Sequence, residues 1–281
     1  MRAIEVHDLR KSYGDREVLH GLDLAVETGE VFALLGPNGA GKTTTVEILE
    51  GYRRRDGGDV CVLGTDPEQA DADFRARIGI VLQSSAVYPT LTVEEIVALF
   101  AGYYPAPRDP DEVLVLVGLE DKCRARVRTL SGGQLRRLDL ALALVGDPEL
   151  IFLDEPTTGF DPAARRQAWN TLRGMRELGK TILLTTHYME EAETLADRVA
   201  ILRNGRIVAT GPPRALLAEH VAVEIRFRRD GEEVVIDTDE PTRVLHELTA
   251  EALAAGVELE ALEVQRRSLE DVYLEVTREG A

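Results

Sequence analysis

The sequence predicts an α/β fold: a mostly parallel sheet with an antiparallel β subdomain and a helical subdomain attached, and a small C-terminal α+β domain behind it. Three observations lead there. Apolar residues alternate in period two through the first 30 positions (Ile4, Val6; Val18, Leu22, Leu24), as in antiparallel strands with one face buried. A continuous apolar run, Val31–Leu35, ends in a glycine-rich turn, as a parallel strand buried on both faces does. From there to Thr210, strand-like and helix-like segments take turns.

The elements follow in order. After the apolar strand, a helical pattern covers 42–50 and weaker strand signals cover 59–63 and 78–82. Residues 93–104 and 111–117 read as helices parted by the proline-rich stretch Pro105-Ala106-Pro107-Arg108-Asp109-Pro110. A helix runs from just beyond Ser131 to about 145, and the apolar strand 150–153 comes next. Residues 162–178 are helical, 181–185 a strand, 189–196 a helix. Asn204-Gly205 between strands 199–202 and 206–210 signals a hairpin.

Composition shifts after Gly211-Pro212-Pro213-Arg214, and the domains read as 1–218 and 219–281. The second segment holds 17 Asp+Glu against 7 Arg and no Lys, a net of −10 out of the chain's −17. Its pattern is strand (221–227), turn, strand (233–237), helix (241–255), strand (257–264), helix (269–276).

The charge excludes some partners. A phosphate backbone is gripped by clustered Lys and Arg, so a chain with 50 acids against 33 bases is expected to bind no nucleic acid. Single phosphate ligands stay open, because backbone N–H groups can hold them locally. Cys61 and Cys123 stand far apart and form no CxxC, so neither a disulfide framework nor a zinc knuckle is expected. The first residues carry no long apolar stretch of a signal peptide, and no apolar run reaches the ~18 residues of a membrane span.

Three strings carry chemistry. Gly36-Pro37-Asn38-Gly39-Ala40-Gly41-Lys42-Thr43 matches G-x-x-x-x-G-K-[ST], between a strand and a helix. Its glycines let consecutive N–H groups point at a phosphate, the helix N-terminus adds partial positive charge, Lys42 reaches the β- and γ-phosphates, and Thr43 offers a hydroxyl to Mg²⁺. The strand ending in Asp154-Glu155 delivers two carboxylates to the same sheet edge. Asp154 suits Mg²⁺, and Glu155 suits polarising the attacking water. Leu130-Ser131-Gly132-Gly133-Gln134 precedes a helix and offers a hydroxyl and bare N–H groups to a second anion.

With Lys42, Ser131 and Asp154 in this order, residues 2–215 resemble the ATP-binding cassette (ABC) ATPases, whose P-loop NTPase core the fold class then implies. The resemblance implies an ATP hydrolase using ATP and Mg²⁺. It places Gly36, Asn38, Gly39, Gly41, Lys42, Thr43 and Thr44 around the phosphates and Tyr13 against adenine. It makes Ser131, Gly133 and Gln134 the signature that meets nucleotide held by another subunit. Asp161 becomes the aspartate of the D-loop, with Phe160 in place of the more usual leucine. Gln83 senses the γ-phosphate and Mg²⁺, joining Thr43 and Asp154 at the metal, and His187 is the switch histidine beside Glu155. One phosphate loop and one signature per chain imply a head-to-tail sandwich with a second copy of itself. The absent membrane span implies a separate transmembrane permease docking near Ser84–Thr90, which places the protein in the cytoplasm, peripheral on the inner face of the membrane. The tail Arg266-Arg267-Ser268-Leu269-Glu270-Asp271-Val272-Tyr273-Leu274 resembles that of drug-resistance-type (ABC-2) exporters. An importer ATPase and a soluble ABC ATPase outside transport stay open as alternatives.

Overall fold

The computed structural model describes residues 1–81, 88–218, 223–229, 231–266 and 268–278. It divides into two compact units, Met1–Thr210 and Gly211–Ala281. The helix Pro213–Ala218 goes with the second unit, which therefore starts ahead of the compositional boundary at 219.

The first unit opens with two long strands, β1 (Arg2–Tyr13) and β2 (Arg16–Glu27), followed by β3 (Val31–Leu35), α1 (Lys42–Leu49), β4 (Gly57–Val62), α2 (Ala72–Arg77), β5 (Ile78–Val81), α3 (Val93–Ala101) and α4 (Pro110–Leu116). It continues with α5 (Gly132–Leu144), β6 (Leu150–Asp154), α6 (Pro162–Glu177), β7 (Thr181–Thr186), α7 (Met189–Leu195), β8 (Arg198–Arg203) and β9 (Arg206–Gly211). β1, β2 and β4 make an antiparallel sheet in the order β2-β1-β4. The main sheet runs β5-β6-β7-β3-β8-β9, and every pairing from β5 to β8 is parallel. Asn204 and Gly205, both at positive φ, turn β8 back into β9.

The central strands are buried along their length: all five residues of β3 and all six of β7 are inaccessible. Phe32, Leu34, Phe152, Leu183 and Leu202 from the main sheet join Ile4, Leu9, Leu19 and Leu22 from the antiparallel sheet in one core cluster. At about 1.5–3 kcal/mol for each fully buried large side chain, this cluster is what seats the antiparallel sheet over the phosphate loop. Helix starts follow their caps. Ser131 and Thr92 form reciprocal capping boxes with Gln134 and Glu95, and Asp161 caps α6 ahead of Pro162. Helix α2, absent from the sequence reading, is six residues long and buries only Phe74, too little periodicity to register. No helix among the described residues is long and apolar enough to cross a membrane.

The second unit holds α8 (Pro213–Ala218), β10 (Val223–Arg229), β11 (Glu232–Thr238), α9 (Pro241–Ala255), β12 (Glu260–Arg266) and α10 (Leu269–Arg278). The strands form an antiparallel sheet in the order β11-β10-β12, and Val223, Ile225 and Phe227 pack against Val244, Leu245 and Leu248 of α9. Ser268 and Asp271 bond each other's backbone N–H at the start of α10. This helix buries Leu269 and Val272 and packs on α8.

Candidate functional site

The turn after β3 is shaped by steric exclusion. A Cβ on Gly36 would stand 2.5 Å from the Leu202 carbonyl oxygen. Gly41 sits at φ 110°, and a Cβ there would meet Leu19 at 2.7 Å. The loop therefore lies flat against β2 and β8 and leaves Asn38 and Gly39 exposed. Lys42, only 6% exposed, folds back so that its Nζ donates to the Gly36 carbonyl at 2.8 Å and to that of Pro37 at 3.3 Å. Burial lowers its pKa, while Glu155 and Asp154 pull it back up. Thr45 ties the first helical turn to the loop by donating its hydroxyl to the Gly41 carbonyl at 2.9 Å.

β6 brings its two carboxylates to this loop. The Thr185 hydroxyl on neighbouring β7 donates to Asp154 Oδ1. The chain then turns sharply, with Glu155 at φ 47°. Such a conformation costs a residue with a Cβ about 1–2 kcal/mol. It is held by the Glu155 N–H donating to both the carbonyl and the hydroxyl oxygen of Thr185, each at 3.1 Å. Glu155 Oε2 accepts from the Thr158 hydroxyl at 3.1 Å, and Oε1 lies 3.3 Å from His187 Nδ1. Behind the turn, the buried Arg136 guanidinium donates to the carbonyls of Asp154 and Pro156 at 3.0 and 3.1 Å. Burial depresses its pKa.

Two clefts flank Glu155. The first, of about 430 Å³, is lined by Tyr13, Asn38, Gly39, Gly41, Lys42, Thr43, Thr44, Asp154 and Glu155, together with Arg16 and Val18. Tyr13 is 42% exposed; the Arg53 guanidinium covers its ring at 5.2 Å and its hydroxyl sits 3.4 Å from Thr44 Oγ1. The second cleft, of about 740 Å³, is lined by Ser131, Gly132, Gly133, Gln134, Phe160, Asp161, Thr158 and Glu155 among others. In it Ser131 and Gln134 are engaged with each other, the Ser131 N–H donating to Gln134 Oε1 at 2.9 Å. Asp161 Oδ1 accepts from the N–H groups of Ala163 and Ala164 at 2.9 and 2.8 Å.

The structure thus gathers Asn38, Gly39, Gly41, Lys42, Thr43 and Thr44 with Tyr13, Asp154 and Glu155 into one cleft, with His187 against Glu155; Gly36 is buried and does not line it, and the signature residues and Asp161 line another. Gln83 and residues 84–87 of the expected permease contact lie outside the described residues. Thr185, Thr158 and Arg136 escaped the sequence reading. Their partners stand 30, 3 and 18 residues away, and only Thr158, beside the carboxylates, carried a positional signal.

Thr43 and Asp154 bring a hydroxyl and a carboxylate to a cleft with room for phosphate and water oxygens. Among the described residues no cluster of three His, Cys, Asp or Glu could hold a metal by itself. A sparse set of hard oxygen donors is what Mg²⁺ takes beside a nucleotide, so these residues fit that ion.

Comparison with known proteins agrees with the geometry. The family profile described as ABC transporter matches residues 19–158. The Nod factor export ATP-binding protein I of Rhizobium sp. (strain N33) is 41% identical over 98% of this chain and 97% of its own length. That of Paraburkholderia xenovorans (strain LB400) is 44% identical over 79% of this chain and 75% of its own. Among solved structures, an ATP-binding subunit of an ABC transporter is 26% identical with a TM-score of 0.71, covering 98% of this chain and 99% of that one. The Clostridium perfringens protein cbiO1, part of the ABC transporter complex cbiONQ, is 30% identical with a TM-score of 0.71, covering 78% and 91%. With its own phosphate loop, paired carboxylates and signature string, this chain belongs to the ATP-binding cassette family as the ATP-hydrolysing subunit of a transporter.

Proposed function

We propose that the chain powers an exporter of the ABC-2 type, working as a pair of copies that sandwich two ATP molecules and drive a separate membrane permease from the cytoplasmic side. The observation that carries the pairing is the separation of the two clefts. Lys42 and Asp154 line one, while Ser131 and Asp161 line the other. A second copy turned head to tail brings the Ser131 cleft of one chain over the nucleotide of the other, and two such contacts close a symmetric dimer. Export as the direction draws support from relatives named for Nod factor export and from the 266–274 tail.

In this reading Lys42 leaves the Gly36 and Pro37 carbonyls for the phosphates, and the N–H groups of residues 39–43 cradle them. Thr43 and Asp154 would hold Mg²⁺, with Gln83 as a further proposed partner; bound there, the ion would neutralise charge building up between the β- and γ-phosphates. Glu155 accepts a hydrogen bond from the attacking water, while His187 holds the Glu155 carboxylate in place and meets the γ-phosphate. Loss of the γ-phosphate removes contacts that only the closed pair makes, and the pair opens.

Size-exclusion chromatography of Glu155→Gln with ATP and Mg²⁺ tests this reading. The variant is expected to elute as a dimer and to leave ATP intact; hydrolysis at the wild-type rate overturns the assignment.

A further inference from the structure

We propose that Tyr188 is a positioning residue for His187, and that Arg165 fixes Tyr188 so that the state of the Asp161 loop reaches the histidine. His187 is well exposed, and its imidazole lies beside the Glu155 carboxylate at 3.3 Å and the Tyr188 ring, with centroids 4.0 Å apart and planes tilted by 40°. A histidine at a strand end has two free χ angles, and the ring removes the swings that carry Nδ1 away from Glu155. Tyr188 is itself held from three directions. Its N–H donates to the Thr186 hydroxyl at 3.0 Å, its carbonyl accepts from the Glu191 N–H at 3.2 Å, and the Arg165 guanidinium covers its ring at 4.5 Å.

The buried Arg165 Nε finds no hydrogen-bond partner among the described residues, and the guanidinium lies over the Tyr188 ring while its charge also favours the Glu191 carboxylate. It stands on the first turn of α6, where its N–H bonds the Asp161 carbonyl at 3.0 Å and where Asp161 Oδ1 caps the helix. One turn further along the same face, Trp169 Nε1 donates to Glu191 Oε1 at 3.1 Å. The Thr157 hydroxyl, from the turn after Glu155, reaches the same oxygen at 2.9 Å. α6 is therefore clamped to the start of α7 at two points: the Arg165 point bears on the Tyr188 ring itself, whereas the Glu191 point reaches Tyr188 through its backbone. A change at Asp161 loosens the first turn of α6, shifts Arg165 and frees the Tyr188 ring. In the proposed dimer the Asp161 cleft faces the second copy, so the contact would report closure; that part rests on the pairing reading, whereas the positioning does not.

Two measurements on the full chain decide the matter. In kinetics, Tyr188→Ala and Arg165→Ala are each expected to lower kcat about tenfold with KM for ATP nearly unchanged. The double variant should fall no further than either single one, and Tyr188→Phe should recover most of the loss. In NMR, the His187 imidazole resonance should move in Tyr188→Ala and, in the same sense, in Arg165→Ala. Asp161→Ala should move it in the wild-type background and leave it unmoved in Arg165→Ala. An unmoved His187 resonance in Arg165→Ala, or a double variant whose losses multiply, overturns the proposal. The NMR readout needs neither hydrolysis nor dimerisation, so it separates this failure from a failure of the proposed function.

Discussion

The Glu155 carboxylate and the His187 imidazole meet at 3.3 Å although 32 residues separate them, because β6 and β7 are parallel neighbours and both side chains leave the sheet at the same edge. The contact sets a division of labour. Glu155, 13% exposed, is the better buried member and is also bonded by Thr158; His187, 39% exposed and stacked on Tyr188, is the more accessible one. Replacing His187 with Ala is expected to cut turnover by about 100-fold while a fluorescent nucleotide still binds, since general-base geometry is lost and the phosphate loop is not. A matched loss of binding in the titration counts against this division.

Lys42 and Tyr13 should separate in a binding experiment. Removing the Lys42 charge takes away a charge-assisted contact to the phosphates, so Lys42→Ala is expected to weaken ATP and ADP by at least about tenfold. Tyr13 contributes a ring face, and Tyr13→Ala should cost about 1–2 kcal/mol of base stacking, about five- to thirtyfold in affinity. Tyr13→Phe should bind like wild type, because the 3.4 Å approach of the hydroxyl to Thr44 is too long to contribute much. Titrations with fluorescent ATP and with inorganic triphosphate check both: triphosphate should feel the lysine and not the tyrosine.

Arg136 bolts the turn at Asp154–Pro156 to α5. Its guanidinium serves the Asp154 and Pro156 carbonyls and lies 3.8 Å from the buried Asp139 carboxylate. Truncation removes a donor from two carbonyls and a cation from beside a buried acid, so Arg136→Ala should destabilise the first unit by about 3 kcal/mol. Urea unfolding followed at Trp169, the single tryptophan, reads that change in the right unit.

Glu50 gives stability a pH slope. It is 6% exposed, and burial first, then the charges of Asp154 and Glu47, push its pKa from 4.5 to about 8. The folded state therefore keeps a proton that the unfolded state releases between pH 4.5 and about 8. For this group the stability is greatest below the unfolded pKa, declines as pH rises through that window, and levels off above it. Glu50→Gln should accordingly raise Tm at pH 8.5 and change it little at pH 4.5, measured by thermal melts across pH. Equal shifts at both pH values reject the assignment.

How far the sequence reaches varies from element to element. β3 was readable because a strand buried on both faces is apolar along its length, whereas β7, equally buried, keeps its apolar run to Ile182–Leu184 between threonines. Helix α5 was readable behind Ser131 and helix α6 from its own pattern, while the cap that Asp161 gives α6 emerged from the structure. The phosphate loop was readable because its glycines answer local steric demands, as the contacts at Gly36 and Gly41 show. Such features are encoded in a few adjacent residues, and the concentration of acid in the last 63 positions is legible from composition alone.

What only the tertiary structure decided is everything that depends on strands meeting side by side. The hold of Thr185 on Asp154 and Glu155, the brace of Arg136 behind them, and the stack of Arg165, Tyr188 and His187 join residues from different elements. The physical reason is range. Caps, turns and apolar periodicity act over four or five residues of chain, whereas the groups that orient the Glu155 carboxylate act through space, and the order β5-β6-β7-β3-β8-β9 sets which of them are near.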